Sequence, residues 1–373
     1  MARRPERRGP ARGSRARATR RFITTPRDLA VFVNDDFLYQ GALGACLVLL
    51  ARGAPFEGGL PCGPDHPWRT NCATFGAPHV LALLAEASSR ALRICRRQKF
   101  CVHRRARPEA LAGMLTLAAS RESYRLGGAE TRLKAMVAAL EDCGLADLVE
   151  GHNAAQNAAL AEGNSGTGLR HLDLDPPAWM VRNLLLPVAF ADGAPMHPAY
   201  GSAHATVAGT SITILKAMFE MYRRESLPPH GTHRWKCGNW QPMTLADIGM
   251  DEVFVPTPDG NALVGGNGDP AGLTLAGELD KLASNIGFGC VMAGINHASD
   301  VHESLRLGER IAVGILQEQM LNYSEPVSMR FPGFDGDRIV ISTMGSGADV
   351  SVEIRSADDQ PIRFEDWWQR PLD

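Results

Sequence analysis

From Pro26 to Ala51, apolar residues recur at spacings of three and four through PRDLAVFVNDDFLYQGALGACLVLLA, which predicts one helix opened by Pro26. A Gly- and Pro-rich loop follows at 53–69. The next periodic stretch, HVLALLAEASSRALRICRRQKF, starts near Phe75 or Pro78 and predicts a helix to about residue 100, ending in a basic patch. Pro108 opens EALAGMLTLAAS, and TRLKAMVAALEDCG (131–144) predicts a short amphipathic helix stopped by Gly144. Residues 153–168 are rich in Ala, Asn and Gly with little pattern and read as loop with a helical turn or two. PPAWMVRNLLLPVAF (176–190) reads as another helix behind paired prolines.

The strongest helical pattern is AHATVAGTSITILKAMFEMYRR (203–224), although its β-branched residues ask for tertiary support. Residues 225–270 are too long and too rich in Pro and Gly for a plain connection, so they read as a functional excursion. Thr274 is placed to cap LAGELDKLASNIGFG, a final helix runs over 300–321, and PVSMRFPG with DRIVISTMG and DVSVEIR predicts a terminal hairpin. With no internal repeat and no second nucleating core, the expected fold is mainly α: one helical bundle domain over 22–373 with a small C-terminal β-hairpin.

Composition narrows this picture. With 373 residues, 45% of them hydrophobic and 21% charged, the chain can build a large core, which rules out disorder throughout. The longest apolar runs, at 42–54 and 184–191, stop after about ten residues where a membrane helix needs roughly 18. A soluble protein with no membrane partner is expected, and the cytoplasm is its expected location, because no apolar stretch follows the basic N-terminus as an export signal requires. Residues 1–21 hold nine Arg and one Glu, which reads as a disordered Arg-rich extension. That segment carries +8 against a whole-chain −2, so the rest carries −10 and argues against a nucleic-acid partner. The eight Cys show no CxxC spacing, and only Cys62 and Cys72 look placed to pair in an oxidising compartment.

Three segments could carry chemistry. In RRQKFCVHRRARP (96–108), Arg96, Arg97, Lys99, Arg104, Arg105 and Arg107 crowd one helix end; they make either a solvated basic face or an anion site. HPAYGSAH (197–204) puts Gly201, Ser202 and Ala203 just before a helix start, where backbone N–H groups can meet an oxyanion. His204 and His197 stand there as proton-exchange candidates. GCVMAGINHASD (289–300) carries Cys290, Asn296, His297 and Asp300. A metal site from His297, Asp300 and His302 has loose spacing, and spacing alone does not bring the Cys290 thiol to His204 or His297.

Read in order, Lys99–x7–Arg107–Pro108, then HPAYGSAH, then MAGINHASD leading into ESLRLGE, the chain resembles the vanadium-dependent haloperoxidases of the algal and cyanobacterial branch. Their superfamily includes the type 2 phosphatidic acid phosphatases. The resemblance spans about residues 24–345 and implies a helical bundle that holds vanadate, or phosphate, between helix ends. It implies oxyanion contacts from Lys99, Arg107, Ser202 and the Ala203 N–H, a pocket-lining role for Arg96, and an acid–base role for His204 with His197 beside it. It further implies a homodimer or a larger assembly of dimers.

The third motif departs from the family pattern. Asn296 falls on the His that ligates vanadium, and Cys290 falls on the second oxyanion Arg. An amide oxygen is no substitute for an imidazole lone pair, and a thiol lacks the charge and donors of a guanidinium. His297 could take over as ligand only through a kink or register slip near Gly294. Three readings therefore stay open. One is vanadium-independent acid–base or nucleophilic chemistry on a small organic substrate, with phosphate or no cofactor. The second is a vanadate-dependent bromo- or chloroperoxidase using peroxide and halide, and the third is an inactive homologue.

Overall fold

A computed structural model describes residues 21–61, 73–161, 177–190, 193–223, 241–346 and 349–370. The Arg-rich segment 1–20 and the Cys62 and Cys72 pair lie outside these residues. None of the described helices is long and apolar enough to cross a membrane.

The expected first helix is two. Helix α1 (Pro26–Asp35) begins at Thr25, which with Asp28 forms a capping box. Helix α2 (Gln40–Ala51) restarts after a break at residues 36–39. The apolar spacing carries across this break without interruption, so periodicity could not reveal it. Helix α3 (Ala77–Arg97) runs into a single π-helical turn, Gln98–His103, closed by a bond from the Arg104 N–H to the Lys99 carbonyl at 3.2 Å. Helices α4 (Pro108–Ala118) and α5 (Glu130–Asp142) follow as the pattern predicts, and Gly144 adopts φ +75 beyond α5.

Two expectations are corrected in the next stretch. Residues read as loop from 153 belong to α6 (Leu145–Ala161), where alanines favour helix despite weak amphipathicity. Residues 177–190, expected to be helical, contain no helix. Their polar groups bond to neighbouring elements instead: the Leu184 N–H donates to Thr116 Oγ1 at 3.1 Å, and Asn153 Nδ2 donates to the Leu185 carbonyl at 2.8 Å. Pro187 also removes a donor that a helix would need.

Helix α7 (Ala203–Met218) is the axis of the bundle, with every residue from Ala205 to Met218 buried. It ends six residues sooner than expected, and the chain continues in extended form with bridges from Phe219 to Phe56 and from Tyr222 to Pro242. Burial of its hydroxyls is tolerated because Thr206, Thr210 and Thr213 each donate to the carbonyl four residues earlier, at 2.8–2.9 Å. Lys216, fully buried, pairs with Asp280 at 2.8 Å and lies over the Phe334 ring.

Around α7 pack α3, α8 (Leu275–Met292) and α9 (Ala298–Met320), with Thr274 capping α8 through a 3.1 Å bond from the Gly277 N–H. Contact with α9 is backbone to backbone: a Cβ on Gly308 would lie 2.5 Å from the Thr206 carbonyl oxygen, and one on Gly209 would lie 2.4 Å from that of Leu305. The 241–270 excursion holds a short antiparallel pair, β1 (Phe254–Pro256) with β2 (Leu263–Gly265). The expected terminal hairpin is the start of a four-stranded antiparallel sheet, β3 (Val327–Pro332), β4 (Arg338–Thr343), β5 (Val350–Arg355) and β6 (Pro361–Ile362), followed by α10 (Phe364–Gln369). One apolar cluster joins the bundle to this sheet, and a smaller one lies under α4, α5 and Leu184.

Candidate active site

The candidate residues meet where the π turn, the start of α4, the start of α7 and the end of α8 come together. Lys99 lies in the π turn with 4% of its surface exposed, and its Nζ donates to the carbonyls of Pro198 and Ala199 at 3.0 and 3.4 Å. Arg107, just ahead of α4, is buried too. Its Nε donates to the His197 carbonyl at 2.8 Å, its Nη1 to the Ile295 carbonyl at 2.6 Å, and its Nη2 meets His197 Nδ1 at 2.8 Å. Neither cation has a carboxylate in ion-pair contact among the described residues. Asp300 is the nearby counter-charge to both but is bonded to Arg105 and Asn296, so two buried cations share one carboxylate and an anion between them would relieve part of the cost of their burial.

The start of α7 supplies further donors. Ser202 precedes it with its backbone N–H donated to Ser304 Oγ at 2.8 Å, while its own hydroxyl oxygen is buried without a hydrogen-bond partner. The N–H groups of Ala203 and its two successors have no acceptor within the helix, since they belong to the first turn. Cys95 donates to the Gly201 carbonyl at 3.2 Å and fixes the turn from behind.

His204 joins two elements that no sequence motif connects. Its Nε2 lies 2.9 Å from Asp36 Oδ1, and its Nδ1 lies 3.4 Å from Cys290 Sγ. Asp36 is the residue that ends α1, so the unexpected break between α1 and α2 is what delivers the carboxylate. Burial alone would lower the His204 imidazolium, but its bonds to Asp36 and Cys290 override this and push it up to about 10. His197 goes the other way, lowered by burial and by the neighbouring cations.

Asn296, at the position where the resemblance expects a ligand, is spent on structure. Its Oδ1 accepts from Arg107 at 3.2 Å, and its Nδ2 donates to the Ala199 carbonyl at 2.9 Å and to Asp300 Oδ2 at 3.2 Å. Asp300 is fully buried and also binds Arg105 at 2.7 Å, so it anchors the whole corner. His297 is not drawn into the cluster: its Nε2 engages the Ala106 carbonyl at 3.2 Å, and it shares no hydrogen bond with Lys99, Arg107 or Ser202. Arg96 is exposed and lies over the Phe100 ring at 5.7 Å. His302 packs on Phe288, and no three His, Cys, Asp or Glu among the described residues could hold a metal ion. Asp36 and the locking role of Asp300 escaped the sequence reading.

The charge on Lys99 makes anion capture pH-dependent. Burial pushes its ammonium down to about 8 from the usual 10.5. The folded state thus carries the cost of the charged form below pH 8 and sheds it as pH rises from there to 10.5. Sulfate does not titrate in this range, His197 is already neutral and His204 still protonated. Sulfate affinity is therefore expected to be flat near pH 7 and to fall by up to about tenfold per unit above pH 8, with proton uptake on binding. Calorimetry in buffers of differing ionisation enthalpy measures both; a flat profile to pH 9.5 would remove Lys99 from the anion site.

The chain is 40% identical over 324 residues to a vanadium-dependent bromoperoxidase of Corallina pilulifera and 39% identical over 324 residues to that of Corallina officinalis. It is 31% identical over 328 residues to a vanadium-dependent bromoperoxidase of Ascophyllum nodosum. These matches take in 86–87% of this chain but only 47–49% of the relatives, so the chain spans about half their length. Among solved structures, the homohexameric second vanadate-dependent bromoperoxidase of Ascophyllum nodosum superposes with a TM-score of 0.63 at 23% identity, over 92% of this chain and 53% of that one. No family model matches.

Proposed function

This chain belongs to the vanadium haloperoxidase family, and from that premise we propose that it is an enzyme that retains an oxyanion pocket but works without vanadium, by acid–base or nucleophilic chemistry on a small organic substrate. The donor set fits a tetrahedral oxyanion such as phosphate: two buried cations, an orphaned Ser202 hydroxyl and a helix start. It does not fit vanadate anchored by a side-chain ligand. Both polar atoms of the Asn296 amide are occupied, His297 bonds elsewhere, and Cys290 brings no third cation.

The observation that carries the proposal is the chain Cys290–His204–Asp36, in which a carboxylate orients an imidazole that faces a thiol. At neutral pH His204 is an imidazolium that donates Nε2–H to Asp36 and turns Nδ1–H toward sulfur. In this state both ring N–H groups have partners, and the one on Nδ1 is directed at the Cys290 sulfur, where it would stabilise negative charge during nucleophilic attack. Lys99 and Arg107 hold the anionic end of the substrate. The homohexameric solved relative supports the further proposal that the chain self-associates.

Thiol reactivity tests this. Cys46 is a buried thiol in α2, pushed up to about 11 by burial, and serves as the internal reference. At pH 7, iodoacetamide is expected to modify Cys290 at least about tenfold faster than Cys46, as read by mass spectrometry, and Asp36→Asn is expected to remove most of that difference. A Cys290 no faster than Cys46, and indifferent to His204→Ala, would refute the nucleophile.

A further inference from the structure

Beside the buried cations an open cleft of about 580 Å³ runs along the start of α4 and the 194–198 segment. Its lining includes Arg107 and His197, which also belong to the candidate site, together with Ala106, Ala110, Pro195 and Met196. Met196 is wholly exposed. An inorganic anion has no use for such a lining. The volume falls in the roughly 300–1,000 Å³ range of small-molecule pockets.

The cleft lining carries charges of both signs. Arg107 is positive, and Arg105 is neutralised by Asp300 at 2.7 Å. Glu109 also lines the cleft and is fixed by the Ala194 N–H, which donates to its Oε2 at 2.8 Å. A carboxylate at that point repels a second negative charge on the ligand.

We propose that this cleft binds the apolar part of the substrate, and that the substrate is a small organic oxyanion with one charged end, an aryl or short alkyl group bearing a single phosphate-like head. This rests on the oxyanion pocket argued above. The head enters between Lys99 and Arg107, and the organic group lies against Met196 with its far end facing Glu109. The substrate is thus a soluble compound of modest size, with no charge at the end remote from its head.

Three probes test this by calorimetry on the full chain at pH 7: inorganic phosphate, phenylphosphonate and 4-carboxyphenylphosphonate. Phenylphosphonate is expected to bind about tenfold more tightly than phosphate, the gain from removing roughly 60 Å² of apolar surface from water. The added carboxylate is expected to cancel that gain. Met196→Ser, at a fully exposed position, is expected to cut the phenyl advantage several-fold and leave phosphate binding unchanged, with Ala110→Asn, also lining the cleft, as a second variant. Equal affinity for phosphate and phenylphosphonate, or an advantage untouched by both variants, would overturn the subsite while leaving the oxyanion pocket standing. No binding of any of the three at millimolar concentration would overturn the pocket itself and the subsite with it.

Discussion

Incubated with vanadate, peroxide and bromide, the wild-type protein is expected to brominate nothing above the protein-free rate, whereas Cys290→Arg combined with Asn296→His is expected to bind vanadate about a hundredfold more tightly. The restored guanidinium alone accounts for much of this, since a charge-assisted hydrogen bond contributes about 1.5–3 kcal/mol. The imidazole adds a ligand atom that the amide cannot offer. Neither change is expected to suffice singly. Asn296→His without the arginine frees Arg107 from its 3.2 Å bond to the amide oxygen but adds no charge. Cys290→Arg without the histidine supplies charge and no ligand. Equilibrium dialysis with vanadium analysis and a bromination assay read the two effects separately. Stoichiometric vanadate capture with turnover by the wild-type chain would sink the vanadium-independent reading.

The largest stability effect is expected where α7 and α9 touch. Gly308→Ala puts a methyl group 2.5 Å from the Thr206 carbonyl oxygen and 2.6 Å from the Thr210 nitrogen. Both are backbone atoms of a fully buried helix and cannot turn aside. The helices must separate, which also stretches the 3.0 Å bond from Thr210 Oγ1 to the Gly308 carbonyl. A loss of about 3 kcal/mol is expected, at the upper end of overpacking costs, and Gly308→Val is expected not to fold. Gly314 is the control. It lies in the same helix with nothing within 4 Å of an added Cβ, so Gly314→Ala is expected to be neutral or to stabilise by up to about 1 kcal/mol. Urea denaturation of both variants gives the comparison, and similar midpoints for the two would show that the contact can relax.

Much of the site was legible because its donors sit in short ordered segments. Lys99 and Arg107 are eight residues apart, and Ser202 and His204 stand at a helix start that Gly201 and the following apolar run announce. The substitutions at Cys290 and Asn296 were readable against the same pattern. The contact between Cys290 and His204 was not, because 86 residues separate them and only packing of α7 on α8 closes the gap. Asp36 was further out of reach. It lies 168 residues from His204, in a stretch whose apolar spacing reads as continuous helix and so conceals the break that frees its carboxylate. Residues 177–190 misled for a related reason: their leucines suit a helix, but Pro187 and bonds to Thr116 and Asn153 hold them in irregular form.

The π turn at 98–103 has a consequence for chain length. A π turn holds one residue more than an α turn, as the bond from Arg104 N–H back to Lys99 attests. Losing one residue there would not shorten a loop. A deletion between Lys99 and Arg104 would return the segment to α-helical phase and swing the residues that follow it, Arg107 included, around the axis relative to Lys99, parting the two cations while both stayed in the sequence. Over these six residues a deletion is therefore more damaging than most substitutions, and the number of residues is as much an inherited property of the pocket as their identity.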